Sequence, residues 1–216
     1  MGKTIQMERV KNPLINILVR THHRPIGFMR LMMSINSQTY KNFKVYVSVD
    51  DRNDVEYVLA AGVEKENIVF ITEKDKELIG DFGEQLAIYN QYFNPLINAV
   101  NDGFIYCMDD DDFFFDGESL EKIANNLYED ALSIFKMKIF GTELPSHSFG
   151  LEPTLADIGT PCFCVHCKYA KQIRWDGFYQ GDGRYIQNLY KTVPNTKWIN
   201  EVVYFVPTQG IGKGEY

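Results

Sequence analysis

The chain has 216 residues, a length that suits one large domain or two small ones. Hydrophobic residues make up 45% and charged residues 24% of the sequence, which is typical of a folded globular protein and argues against disorder. The formal net charge of -7 argues against binding to nucleic acid, because a phosphate backbone attracts proteins that carry a surplus of cations.

No apolar run reaches the ~18–20 residues of a membrane span, and the opening residues 1–13 contain no apolar signal-peptide core. The 4 cysteines are too few for a disulfide scaffold. These features predict a cytoplasmic protein without a transmembrane segment, and they leave peripheral contact with a membrane open.

The first half of the chain alternates short apolar runs with stretches of helical periodicity. Strand–helix–strand units at this spacing predict an α/β fold with a mostly parallel sheet covered by helices. The predicted strands are Leu14–Val19, Phe43–Val49, Ile68–Thr72 and Phe104–Met108. The predicted helices begin at Pro25, cover Glu56–Ala61 and Asp81–Tyr92, and restart at Pro95 with Asn94 as N-cap.

The second half of the chain is less regular. Its predicted elements are a helix over Gly117–Tyr128, a strand over Ala131–Phe140, a loop over Glu143–Thr160, a strand over Pro161–Val165, a helix over Gly183–Tyr190, a strand over Trp198–Val206 and a glycine-rich tail over Gln209–Tyr216.

Three polar clusters follow the carboxyl ends of predicted parallel strands. They are Thr21–Arg24, Asp50-Asp51 and Asp109–Asp112. In open α/β sheets this edge is where ligands bind, so the three clusters are expected to line one crevice.

Four consecutive carboxylates at Asp109–Asp112 oppose one another's ionisation unless something compensates their charge. A hard divalent ion such as Mg²⁺ or Mn²⁺ would do so, and in an extended stretch Asp109 and Asp111 point to the same side. The alternative is an exposed acidic turn that caps the following helix. A calcium loop fits poorly because Phe114 stands where such a loop needs glycine.

Six motifs, in order, carry a resemblance to a known family. They are ILVRTHHRP, SINSQTY, VYVSVDD, CMDDDDF, TPCFCVHC and GDGRYIQNL. Together they resemble the family 2-like glycosyltransferases of GT-A fold, and most of all their small spore-coat polysaccharide type. The resemblance covers nearly the whole chain and implies a single GT-A domain over 1–216, with a nucleotide-binding half at about 12–112 and an acceptor-binding half at about 113–216.

The resemblance also implies roles for individual residues. Thr21 and Asp51, or Asp50 in its place, would contact the nucleoside, and Arg24 would face the nucleoside or the diphosphate. Asp111 would hold Mn²⁺ or Mg²⁺ together with Asp109 or Asp110. The expected metal ligands are Asp109 and Asp111, and Asp110 would then contact the nucleotide-sugar donor. Asp182 would be the catalytic base, although an aspartate in GDGRYIQ also suits a helix N-cap. Arg20, His22 and His23 depart from the family's opening motif.

The implied activity is metal-dependent transfer of a sugar from a nucleotide-diphosphate donor, with a UDP-sugar favoured, to a carbohydrate hydroxyl with inversion. The alternatives are a non-catalytic nucleotide- or carbohydrate-binding module of the same fold and a metal-dependent phosphatase. The phosphatase fits poorly, because its motif needs Thr or Val where Phe113 stands.

Two further groups have more than one reading. Cys162, Cys164, His166 and Cys167 offer zinc ligands, but their spacing suits no zinc knuckle or ribbon, so we predict small buried core residues. His22 and His23 are predicted at a turn or cleft edge. Trp175 and Tyr179 would form either a platform for a sugar ring or part of the core.

Overall fold

The computed structural model describes residues 7–78 and 85–207, and within these ranges it forms nine strands in one sheet and six α-helices. The strands are β1 (Ile15–Arg20), β2 (Phe43–Val49), β3 (Ile68–Phe70), β4 (Phe104–Asp109), β5 (Phe113–Phe114), β6 (Ala131–Ile139), β7 (Thr142–Leu144), β8 (Phe163–His166) and β9 (Asn195–Val206). The α-helices are α1 (Pro25–Asn36), α2 (Asp54–Ala60), α3 (Phe93–Ala99), α4 (Ser119–Ala124), α5 (Cys167–Ala170) and α6 (Gly181–Thr192). Short 3-10 helices cover Lys65–Asn67, Glu73–Lys76, Ile88–Tyr92 and Thr160–Cys162.

The sheet has the strand order β3-β2-β1-β4-β8-β6-β9-β5, and β7 pairs with β6. The first four strands are parallel, as predicted, and their apolar residues are mostly buried because crossover helices pack on such sheets. The remaining strands are mixed, because β8 runs antiparallel to both β4 and β6 while β6 and β9 are parallel. The expectation of a mostly parallel sheet therefore holds only for the first half of the chain.

The hairpin between β6 and β7 shows why the second half departs from the parallel pattern. Phe140 and Gly141 connect these antiparallel strands with positive φ angles of 48° and 79°. Two left-handed residues in a row form the tight turn that joins neighbouring antiparallel strands, so no crossover helix is needed. The predicted loop over Glu143–Thr160 thus begins inside β7.

Three other predictions need correction. The helix predicted over Gly117–Tyr128 is shorter, Ser119–Ala124. In the predicted helix Asp81–Tyr92, residues 81–84 lie outside the described part of the chain, and Ile88–Tyr92 is a 3-10 helix. Asn94 is not an N-cap, because it lies inside α3, where its side chain accepts from the backbone N–H of Trp175 at 2.9 Å and donates to its carbonyl at 3.0 Å. The tail Gln209–Tyr216 also lies outside the described residues.

The core spans both halves of the sheet. Trp175 is completely buried and stacks on Tyr185 with ring centroids 4.5 Å apart, so it cannot be part of a sugar platform. Cys162, Cys164 and Cys167 are buried in the core, as predicted. Among the described residues no helix has the length and apolar character needed to cross a lipid bilayer.

Candidate active site

A cleft of about 470 Å³ opens at the carboxyl ends of the parallel strands β1, β2 and β4. The register of the sheet builds it, because Arg20 at the end of β1 pairs with Asp109 at the end of β4. The cleft is lined by Arg20, Thr21, His22, His23, Arg24, Asp50, Ile88, Tyr89, Tyr92 and Asp109, Asp110, Asp111 and Asp112. Every residue of the predicted clusters Thr21–Arg24 and Asp109–Asp112 therefore lines the cleft, and the third cluster contributes Asp50.

The acid run Asp109–Asp112 alternates between exposed and buried carboxylates. The side chains of Asp109 and Asp111 are 29% and 26% exposed, whereas Asp110 and Asp112 are buried. Asp109 ends β4, Asp110 and Asp111 form the turn that follows it, and the two partly exposed carboxylates lie at the cleft. A Cβ added at Gly27 in α1 would come within 3.1 Å of the carbonyl oxygen of Asp110, so the helix packs directly on this turn.

Two arginines compensate part of the acidic charge. Arg20 Nη2 lies 2.7 Å from Asp109 Oδ1, and Arg24 Nη1 lies 2.8 Å from Asp110 Oδ1 and 3.0 Å from Asp111 Oδ2. The sequence suggested that a bound ion must relieve the repulsion among the four carboxylates. The two arginine side chains already reduce that repulsion. The side chains of Asp109 and Asp111 stay partly exposed at the cleft, and accessible carboxylates are the ligands that a hard cation prefers.

Asp110 is held from two sides. The hydroxyl of Thr21 donates to its Oδ2 at 2.7 Å while Arg24 pairs with its Oδ1, and Tyr57 in α2 hydrogen-bonds the same threonine hydroxyl at 2.8 Å. Burial raises the pKa of Asp110 to about 6, against the opposing effects of Arg24 and Thr21. Burial likewise raises the pKa of Tyr57 to about 12, so its hydroxyl stays protonated.

Asp112 is the most perturbed carboxyl group of the run. Burial, followed by the charges of Asp109 and Asp111, raises its pKa to about 9, although a hydrogen bond with the Tyr204 side chain opposes this. Asp112 is therefore protonated at neutral pH. The hydroxyl of Tyr204 also accepts the backbone N–H of Asp109 at 3.1 Å, which links β9 to the end of β4.

Histidines and aspartates meet at the other end of the cleft. Asp50 Oδ1 lies 2.7 Å from His22 Nδ1, and the Tyr92 hydroxyl donates to Asp50 Oδ2 at 3.0 Å. Asp51 does not line the cleft, and its Oδ2 lies 3.5 Å from His23 Nε2. One ligand atom each from His22, His23 and Asp54 lie within 4.8 Å of one another, so this group could also hold a metal ion.

Asp182 lies in the first turn of α6 and is not its N-cap, a position that Gln180 occupies. Its Oδ1 accepts the backbone N–H of Gly183 at 2.8 Å. It does not line the cleft, but the charges of Asp109 and Arg20 in the cleft act on it. Burial raises the pKa of Asp182, the charge of Asp109 raises it further, and Arg20 lowers it.

Several residues of the site were not singled out from the sequence. Tyr57 and Tyr204 support the acid run from α2 and β9, and Asn90 binds Arg20 from a segment that was predicted as α-helix. Arg20 stood out only as a departure from the family motif. Tyr179 is 58% exposed, so of the two predicted platform residues only this one is accessible.

No protein-family profile and no curated protein matches the sequence. Solved structures do match. The S. aureus TarS fragment 1-349 gives a TM-score of 0.63 at 16% identity over 89% of this chain, and it is also known in complex with UDP-GlcNAc. A mannosyltransferase from Pyrobaculum calidifontis, in complex with GDP-Man and Mn²⁺, gives 0.64 at 10% identity over 98% of this chain.

Glucosyl-3-phosphoglycerate synthase from Mycobacterium tuberculosis, in complex with Mg²⁺ and UDP, gives a TM-score of 0.59 at 9% identity over 91% of this chain. This chain spans 60% of the TarS fragment, 62% of the mannosyltransferase and 72% of the synthase. These neighbours are GT-A-type glycosyltransferases, and the chain has their mixed α/β fold, as predicted. Likeness at such low identity defines the fold and does not by itself define the reaction.

Proposed function

We propose that this chain is a metal-dependent glycosyltransferase that moves a sugar from a nucleotide-diphosphate donor, preferably a UDP-sugar, to the hydroxyl of a carbohydrate acceptor. Residues 12–112 would bind the nucleotide and residues 113–216 the acceptor. The proposal rests chiefly on the alternation in the acid run, since Asp109 and Asp111 turn accessible carboxylates into the cleft while Asp110 and Asp112 are buried.

Asp109 and Asp111 would hold the divalent ion. When bound, Mn²⁺ or Mg²⁺ would supply Lewis-acid stabilisation for the diphosphate leaving group. Both residues offer oxygen ligands of the kind that these ions prefer, and the structural neighbours with GDP-Man or UDP contain the same two ions.

The nucleoside would lie toward the histidine end of the cleft. Asp50 lines the cleft there, so its carboxylate is the one that would accept a hydrogen bond from a base or ribose, whereas Asp51 lies beside His23 outside the lining residues. The Thr21 hydroxyl is engaged by Asp110 and Tyr57, so it orients the acid run rather than reaching freely into the cleft. Arg24 would add positive charge beside the diphosphate.

Asp182 would be the catalytic base, in a direct displacement with inversion. Its carboxylate takes the proton of the acceptor hydroxyl as that oxygen bonds to the anomeric carbon. The bond from the anomeric carbon to the diphosphate oxygen breaks, and its electron pair leaves with the nucleoside diphosphate. Burial raises the pKa of Asp182, and a carboxylate of higher pKa is a stronger base toward the acceptor hydroxyl.

The test is thermal denaturation with UDP-, GDP- and CMP-linked sugars, each with and without Mn²⁺. The expected result is stabilisation by a nucleoside-diphosphate donor that depends on Mn²⁺ and is strongest for the UDP series. Asp111→Asn should abolish the Mn²⁺-dependent shift. The matched control is Asp102→Asn, the same change at a residue whose side chain is 85% exposed and remote in register from the cleft end of β4.

Turnover separates the enzyme from a binding module of the same fold. Release of nucleoside diphosphate in the presence of acceptor glycans supports the transferase. Nucleotide binding without transfer to any glycan or free water would instead indicate a module, and the absence of a shift with every nucleotide would contradict nucleotide binding altogether.

A further inference from the structure

Arg20 occupies a junction in the cleft that the resemblance does not explain. It ends β1 beside Asp109, where the family's opening motif usually has proline. Its side chain is only 14% exposed, with Nη2 paired to Asp109 and Nη1 donating to Asn90 Oδ1 at 2.7 Å. Its guanidinium also lies 4.6 Å from the centroid of the Tyr89 ring and 4.9 Å from that of Phe93. One planar cation therefore joins the acid run to the 3-10 segment Ile88–Tyr92.

Asn90 contacts both Arg20 and the turn that precedes α6. It is buried, and its Nδ2 donates to the carbonyl of Phe178 at 2.9 Å. A Cβ added at Gly181, the first residue of α6, would lie 3.0 Å from the same Nδ2. The start of α6 is thus packed directly against the amide that Arg20 orients.

The turn itself is held in one conformation. Arg184 pairs with Asp176 through two contacts of 2.8 Å and donates to the carbonyl of Tyr179 at 2.8 Å. Gln180 adopts a left-handed conformation with φ of 61°. A displacement at Phe178 is therefore passed to the first turn of α6, which contains Asp182, rather than absorbed in a flexible loop.

We propose that Arg20 is a positioning residue that, through Asn90, sets the place of Asp182 relative to the acid run. This inference rests on the proposed function for its catalytic meaning, but its structural part stands independently. The electrostatic environment agrees with it, since the charges of both Asp109 and Arg20 act on Asp182. The Arg20 side chain at the end of β1 thus links the proposed donor side of the cleft to the proposed acceptor side.

The first test is amide hydrogen exchange of Arg20→Gln. We expect exchange in peptides spanning 176–182 to rise about tenfold, because the Asn90 amide loses its orienting partner, while β2 is unchanged. Arg30→Gln, which removes the same charge from the exposed face of α1, should leave these peptides unchanged. Unchanged exchange in Arg20→Gln would overturn the structural link, whether or not the chain is a transferase.

The second test is kinetic and separates positioning from diphosphate binding. Arg20→Gln should lower kcat by about 10–100-fold, since small misplacement of a catalytic group is costly. Because Arg20 also pairs with Asp109, kcat is measured at saturating UDP-sugar and Mn²⁺, where a change in their affinity does not contribute. A loss of UDP affinity that accounts for the whole effect would overturn positioning and make Arg20 a phosphate ligand. In an Asp182→Asn background the arginine substitution should have little further effect, and full additivity would contradict the link.

A variant that keeps Arg20 guards against misfolding. Asn90→Asp retains an acceptor for Arg20 but removes the donor to Phe178, so it should reproduce both the faster exchange and the lower kcat. Normal kcat in a folded Asn90→Asp protein would refute the inference. Failure of the wild-type protein to bind any nucleotide would instead refute the proposed function and leave the exchange result to decide the link.

Discussion

Two regions of the molecule bury carboxylates in opposite ways. Asp157, in the connection between β7 and β8, has no exposed surface and accepts hydrogen bonds from the backbone N–H and hydroxyl groups of both Ser146 and Ser148 at 2.6–3.2 Å. Burial alone would raise the pKa of Asp157, but these donors lower it to about 2. In the acid run, burial prevails instead, and it raises the pKa of Asp110 to about 6 and that of Asp112 to about 9.

The difference distinguishes a structural carboxylate from the carboxylates of the proposed metal site. The donors around Asp157 belong to its own loop and satisfy both oxygens, so its charge stabilises the fold. The acid run has fewer donors than oxygens, relies on two arginine side chains, and leaves Asp109 and Asp111 open at the cleft. A carboxylate cluster kept short of donors is poised for an added cation.

The largest effect is expected from Asp111→Asn. Loss of a proposed metal ligand removes several kcal/mol of stabilisation for the leaving diphosphate, so transfer should fall at least about a thousandfold. The measurement is release of nucleoside diphosphate at saturating Mn²⁺. Near-normal turnover would place the ion elsewhere, with the group of His22, His23 and Asp54 as the next candidate to test by substitution.

Asp182→Asn should remove the proposed catalytic base but keep the proposed donor site. Proton transfer by a positioned side chain typically contributes about 10²–10⁴-fold, so transfer should fall by that order. Titration calorimetry should find UDP affinity within about twofold of the wild-type value, because Asp182 does not line the cleft. Retention of most of the transfer rate would show that another group takes the proton.

Asp157→Asn should act on stability rather than on the reaction. The amide nitrogen would face backbone and hydroxyl donors, and a pKa about two units below normal corresponds to about 2 kcal/mol of unfolding free energy at neutral pH. Because this pKa is lower in the folded state, the stabilisation is present above 3.8 and is lost as pH falls toward about 2. Urea denaturation across that range should show the loss in the wild type and not in the variant, with kcat of the folded variant unchanged.

Asp112→Asn should change stability with the opposite sign to Asp157→Asn, by an amount that grows with pH. Its pKa is higher in the folded state, so the stability that the wild type has at low pH is lost as pH rises from 3.8 toward about 9. The asparagine does not titrate, so the variant should become the more stable protein with rising pH. The midpoint difference, measured with EDTA present, should grow by about 2–4 °C for each kcal/mol. A constant difference across this range would contradict the protonated state of Asp112.

The acid run shows how much could be predicted from the sequence. Its position at the end of β4, beside Thr21 and Arg24 at the end of β1, follows from the strand–helix–strand pattern and the rule for parallel sheets. The prediction that Asp109 and Asp111 share a side assumed an extended stretch, whereas Asp110 and Asp111 form a turn in the structure. That arginines would pair with these carboxylates did not follow, because ion pairing depends on register between β1 and β4 rather than on local sequence.

The second half of the chain was harder to predict for a physical reason. Asn94 hydrogen-bonds to Trp175, and Asn90 hydrogen-bonds to both Arg20 and Phe178. The residues in each of these pairs are about 70 or more positions apart in the sequence. Such contacts leave no periodic signal in the sequence. The apolar runs predicted β6, β8 and β9 approximately but missed the short strands β5 and β7. The sequence pattern also cannot reveal that β8 lies antiparallel between β4 and β6.

The central claim is that Asp109 and Asp111 hold a divalent ion against a diphosphate. The most direct measurement is electron paramagnetic resonance titration of Mn²⁺ into the protein with and without UDP, in which bound ion is lost from the signal of free Mn²⁺. The account predicts one tightly bound ion that requires both UDP and the two carboxylates, and loss of that binding in the Asp109→Asn/Asp111→Asn variant. Binding that is equally tight in the variant, or no binding to the wild type at saturating UDP, would contradict it.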